Sequence, residues 1–73
     1  MEQTIKVLDT AALLQDLPQD GLQRGQVGTV VEQLAPDACE VEFVAQDGQT
    51  YALLPLRAEQ FMVLHYELVQ AVR

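Results

Sequence analysis

Cations are scarce in this chain: Lys6, Arg24, Arg57 and Arg73 stand against eleven acidic residues, for a formal net charge of -7 at pH 7. Counterion-release binding to DNA or RNA needs clustered Lys and Arg. The four are scattered, so a nucleic-acid partner is not expected. Cysteine occurs once, at Cys39, and cannot form an intramolecular disulfide. Histidine also occurs once, at His65, with no second ligand at zinc spacing, so neither a metal nor another cofactor is expected. No apolar run approaches the roughly 20 residues that a membrane-spanning helix needs, and no charged-then-apolar signal region is seen. A membrane partner is therefore not expected, and the chain reads as soluble, with a bacterial-style cytoplasm as its expected location. Its 73 residues leave room for one domain with one thin core.

What is present is the grammar of a small all-β domain. The run Asp16 to Leu34 passes from a Pro/Gly/Asp-rich loop directly into a β-branched segment, with Gly21, Gly25 and Gly28 at near-regular intervals. Gln26 to Leu34 reads as a strand with apolar residues on both faces, and Gly28 inside it marks a bulge or a close approach of another backbone. Ala35-Pro36-Asp37-Ala38 makes a turn. Cys39 to Ala45 then alternates, placing Cys39, Val41, Phe43 and Ala45 inward and Glu40 and Glu42 outward.

Asp47-Gly48 between Gln46 and Gln49 signals a two-residue type I′ hairpin. That turn would pair Gln46 with Gln49, Val44 with Tyr51, Phe43 with Ala52, Glu42 with Leu53 and Val41 with Leu54. Pro55 is expected to stop this strand. Arg57 to Gln60 reads as a single helical turn before a last strand, Phe61 to Leu64. Residues 5 to 17 admit two readings. Ile5, Val7, Ala11 and Leu13 suit a strand bent near Asp9-Thr10, whereas Leu13, Leu14 and Leu17 behind a Thr10 cap suit a short helix. The strand is preferred because the first hairpin needs a partner. The tail, residues 65–73, is expected to extend the last strand or to form a short helix, outside a barrel of residues 1–64.

Leu17-Pro18, Gly21-Leu22, Arg24-Gly25, Val27-Gly28-Thr29-Val30-Val31-Glu32, Val41-Glu42-Phe43-Val44, Asp47-Gly48 and Tyr51-Ala52-Leu53, in this order, resemble an uncharacterised bacterial family of single-domain proteins. That family is known as a domain of unknown function with GTVV and EFV segments, and the likeness spans roughly residues 5 to 64. The resemblance implies a five-stranded SH3-like barrel and no enzymatic activity. It also implies a small partner of a larger protein, in the manner of an antitoxin or immunity protein. A fainter similarity of Arg24 to Val30 to the glycine turn of ribosome-associated barrels supplies an alternative, an RNA- or ribosome-associated barrel. It lacks the basic flanks those modules use.

No catalytic set is visible. Asp16 with Asp20, and Glu40 with Glu42, are paired carboxylates on a loop and an open strand face, without the cleft that would push their pKa values apart. Cys39 points inward, where a free cysteine behaves as a small hydrophobe. The candidate site is instead a protein-binding surface: Glu40, Glu42, Val44, Tyr51 and Leu53 on the outer face, with Tyr66 and Leu68 from the tail. The competing reading has Val44, Tyr51 and Leu53 covered by the N-terminal segment or the tail. The expected partner is a larger, basic protein. The alternative is a homo-oligomer formed through the tail.

Overall fold

The computed structural model describes residues 5–65. They form five antiparallel strands, β1 (Thr10–Leu13), β2 (Val27–Ala35), β3 (Ala38–Val44), β4 (Thr50–Arg57) and β5 (Phe61–Leu64), with single 3₁₀ turns at Pro18–Asp20 and Ala58–Gln60. The strands make one sheet in the order β4-β3-β2-β1-β5. This is the small barrel-like, all-β fold expected from the sequence, down to the 3₁₀ turn directly before the last strand. Of the expected C-terminal extension, residues 65–73, all but His65 lies outside the described residues.

The register sorts the side chains onto two faces. Inward, Ala11 lies between Gly28 and Val63, Val41 between Val30 and Leu54, and Cys39 opposite Leu56, while Phe43 faces Ala52. These residues, with Leu13, Leu22 and Phe61, build the core, and no polar side chain among the described residues is buried. Fully burying residues such as Phe43, Leu13 and Val30 is worth roughly 1.5–3 kcal/mol each, which a thin core cannot do without.

Gly28 is the tightest point of this packing. A Cβ at this position would lie 2.8 Å from the Glu42 carbonyl oxygen, 2.8 Å from Val41 Cγ1 and 2.9 Å from Phe43 Cδ2. The glycine in the strand is therefore a close backbone approach. The bulges of β2 fall elsewhere, at Val31 between the pairs Val30–Val41 and Glu32–Glu40, and at Leu34 between Gln33–Cys39 and Ala35–Ala38. The second has a local cause. Ala35 pairs with Ala38, leaving Pro36-Asp37 as a two-residue turn, and the pyrrolidine ring holds φ of Pro36 negative. Asp37 also lacks a positive φ. Such a turn splays its strands rather than following their twist, and the extra residue Leu34 absorbs the misfit.

Three expectations need correction. The Asp47-Gly48 hairpin is not a two-residue type I′ turn. The Gly48 N–H donates to the Ala45 carbonyl at 2.9 Å, the Ala45 N–H donates to the Gln49 carbonyl at 2.8 Å, and only Gly48 (φ 90°) is left-handed. The loop is thus the three residues Gln46-Asp47-Gly48, closed by a left-handed glycine. Ala45 rather than Gln46 meets Gln49, and Val44 meets Thr50. One extra residue, Tyr51, then restores the expected pairs from Phe43–Ala52 onward. Pro55 does not stop β4, which runs on to Arg57. β4 is an edge strand, where a proline ring needs no ladder donor on its open side. Finally, only Thr10–Leu13 of the first segment is strand. Lys6 to Asp9 folds into a turn in which Asp9 Oδ2 accepts the Lys6 N–H at 2.8 Å and Leu8 takes φ 80°.

Gly28→Ala is expected to lower stability by about 2 kcal/mol or more, since a backbone carbonyl cannot yield as a flexible side chain would. The midpoint of urea unfolding measures it, and a wild-type midpoint would show that the approach is not rigid.

Candidate functional site

Because the inner face is spent on the core, chemistry must be sought outside. Directly opposed residues of neighbouring strands share a face, so the register lays out the outer surface row by row. One row crosses all five strands: Leu64, Thr10, Thr29, Glu42 and Leu53. The next, one pleat period further along β3, runs from Glu32 through Glu40 to Pro55. Val44 and Thr50 face each other at the hairpin end. Glu40 and Glu42 are half-buried against this surface, while Leu53 (56 % exposed) and Val44 (41 %) are open.

The structure thus brings together Glu40, Glu42, Val44 and Leu53 of the sequence-derived set, with Glu42 directly across from Leu53. It separates Tyr51 from them. The extra residue in β4 reverses the side alternation, so that Thr50 takes the outer position and its hydroxyl donates to Glu42 Oε2. The Tyr51 ring instead tilts against the buried Phe43 ring, with centroids 6.4 Å apart. Its hydroxyl accepts a hydrogen bond from Gln26 Nε2 at 2.9 Å, tying β4 to the residue before β2. Tyr51 is a brace across the barrel end. Tyr66 and Leu68 lie outside the described residues.

Two features escaped the sequence reading. Glu32 stands directly opposite Glu40, two like charges across one ladder. The one ion pair among the described residues joins Arg57 Nε and Glu59 Oε2 at 3.1 Å, so no described cation relieves them. Alternation along β2 would have aimed Glu32 at the core, since Gly28 and Val30 point there; the Val31 bulge turns it outward. Second, Met62, Ala12 and Val27 form an outward apolar row over β5, β1 and β2, with Met62 and Val27 nearly half exposed.

Of the other titratable groups, Asp16 and Cys39 serve the fold. Asp16 Oδ1 accepts the Arg24 N–H at 2.8 Å, bracing the loop before β2. Cys39 is fully buried, and its thiol is pushed up, first by burial and then by the negative charge of Asp9. His65, the base a cysteine nucleophile would need, is exposed beyond the end of β5. Among the described residues no three His, Cys, Asp or Glu side chains converge as metal ligands would.

The fold and its outer face define a small all-β domain whose distinguishing surface is acidic and apolar. The family model described as a domain of unknown function (DUF4926) matches residues 7–63, and the chain belongs to that family. No curated protein and no solved structure matches the chain.

Two outcomes are expected from these features. Glu40→Gln relieves the opposed pair with Glu32 and should raise stability by about 0.5 kcal/mol at low salt, with the gain fading near ~0.5 M salt as screening sets in. Urea melts at both ionic strengths measure it, and a loss of stability would show that Glu40 has a cationic partner. Cys39 should react with a thiol reagent only as the protein opens. Its raised pKa favours the protonated folded form, so its contribution is fully present below the unfolded value of about 8.5 and is lost as pH rises from there through the folded value. Stability followed from about pH 7 to pH 10 in the wild type and in Cys39→Ala checks the sign, because only the wild type should show this component.

Proposed function

We propose that this domain is a non-catalytic protein-binding module, the small antitoxin-like, immunity-like or accessory partner of a larger, basic protein. The observation that carries this reading is the outer face of β2, β3 and β4. There Glu32, Glu40 and Glu42 stand beside open Leu53 and Val44, with no ion pair to any of the three carboxylates among the described residues. Exposed apolar surface rimmed by polar groups marks an interaction site, and here the rim carries charge of one sign. A net charge of -7 adds long-range attraction for a basic partner and repels nucleic-acid backbones. Catalysis finds less support, because the inner face is filled by the core and the one thiol is buried.

Affinity capture of the tagged protein from its host, with mass spectrometry of what is retained, tests the reading. At about 50 mM salt a protein of basic composition should be recovered, and raising the salt to about 0.5 M should release most of it. Recovery of no other protein by folded bait, or of nucleic acid alone, would refute the reading.

A further inference from the structure

We propose that the outer face of β2-β3-β4 seats a cationic amphipathic segment of the partner, its apolar side chains on Leu53 and Val44 and a Lys or Arg between Glu32 and Glu40. The inference rests on the reading of the domain as a binding module and adds the place and chemistry of what it holds. Charge complementarity selects the occupant. Glu32 and Glu40 are direct cross-strand partners, which sets their Cβ atoms about 5 Å apart. Glu42 follows one pleat period along β3, about 7 Å away. One cation placed above the opposed pair contacts both carboxylates, and a second over Glu42 stands beside Leu53. Two cations about 6–7 Å apart match positions i and i+4 of a helix, and one of the two directions in which that helix can run puts its apolar side chain at i+3 on the β4 side of the row, over Leu53 and Val44.

The same geometry argues against other occupants. A second copy docked face to face would bring Glu32, Glu40 and Glu42 against their own equivalents, and a phosphate backbone would meet three carboxylates. Strand addition at the β4 edge meets Pro55, which offers no N–H in the middle of that strand. The opposed glutamates are a local cost to the free domain. A cation from the partner converts that cost into attraction on binding.

The test is a titration of the full-length protein followed by amide NMR, using three synthetic probes: a 14-residue Leu/Lys amphipathic helix, the same helix with Glu for Lys, and tetralysine. The expected footprint of the Leu/Lys helix covers Thr29, Glu32, Glu40, Glu42, Val44 and Leu53. Tetralysine should bind about tenfold more weakly and the Leu/Glu helix not at all. The double variant Glu32→Gln/Glu40→Gln should be more stable than wild type and yet bind the Leu/Lys helix about tenfold more weakly. A merely structural role for the pair would not move these two readouts in opposite directions. Shifts centred elsewhere, equal binding of the acidic helix, or undiminished binding by the more stable double variant would overturn the proposal, as would the same residues shifting with protein concentration alone. If capture from the host succeeds while this footprint fails, the module reading stands and the partner uses another face. If both fail, the module reading falls too.

Discussion

The approach of β3 over Gly28 is the constraint on which the rest of the structure depends. With no side chain between them, the Glu42 carbonyl, Val41 and Phe43 come within 3 Å of where a Cβ would lie, and this closeness lets one small cluster of side chains fill the interior of so small a domain. Ala11, another small residue, lies directly across from Gly28 in β1. Small residues at the centre of β1 and β2 leave room for Phe43, the largest fully buried side chain. The interior is close-packed because the bulk is unevenly shared.

The bulges decide which residues reach the outside. A strand that alternated strictly from Gly28 would send Glu32 into the core, where an unpaired carboxylate costs far more than the strand could return. The extra residue at Val31 turns the remaining half of β2 over, and Leu34 lets the Pro36-Asp37 turn close. In β4 the extra residue Tyr51 has the same effect on a smaller scale, giving the outer position to Thr50 and turning the aromatic ring toward Phe43. Three single-residue insertions thus set both the curvature of the sheet and the composition of its outer face.

This explains which parts of the fold were legible in the sequence. Cys39 to Phe43 alternates without interruption, so its inner and outer faces were readable from residue types alone, and the pairs Phe43–Ala52, Glu42–Leu53 and Val41–Leu54 follow as expected. They follow despite a misjudged turn, because the hairpin loop holds one residue more than Asp-Gly suggests and the bulge at Tyr51 compensates by one. Near the turn the two effects do not cancel: strict alternation places Tyr51 on the outer face, whereas the bulge turns its ring toward Phe43. Glu32 was hidden for a similar reason, since nothing about Val31 or its neighbours announces the bulge there. Pro55 misled in the other direction: the sequence shows the missing donor but not that β4 lies at an edge, where the loss is harmless. Lys6 to Asp9 was obscured by Leu8, a residue that seldom takes the left-handed conformation it adopts there.

The division of labour between the faces bears on function. Among the described residues the five strands make one sheet whose inner face is filled by the core, and the Cys39 thiol is part of that core. On the proposed reading, specificity resides in how charge and apolar surface are arranged outside. On that surface the arrangement runs against the stability of the free domain: like charges oppose each other at Glu32 and Glu40, and Leu53 and Val44 stay open to water. Either feature alone is ordinary in a soluble protein. Together on neighbouring rows of one face, they describe a surface whose unfavourable terms in isolation all become favourable against a partner that carries positive charge beside apolar side chains.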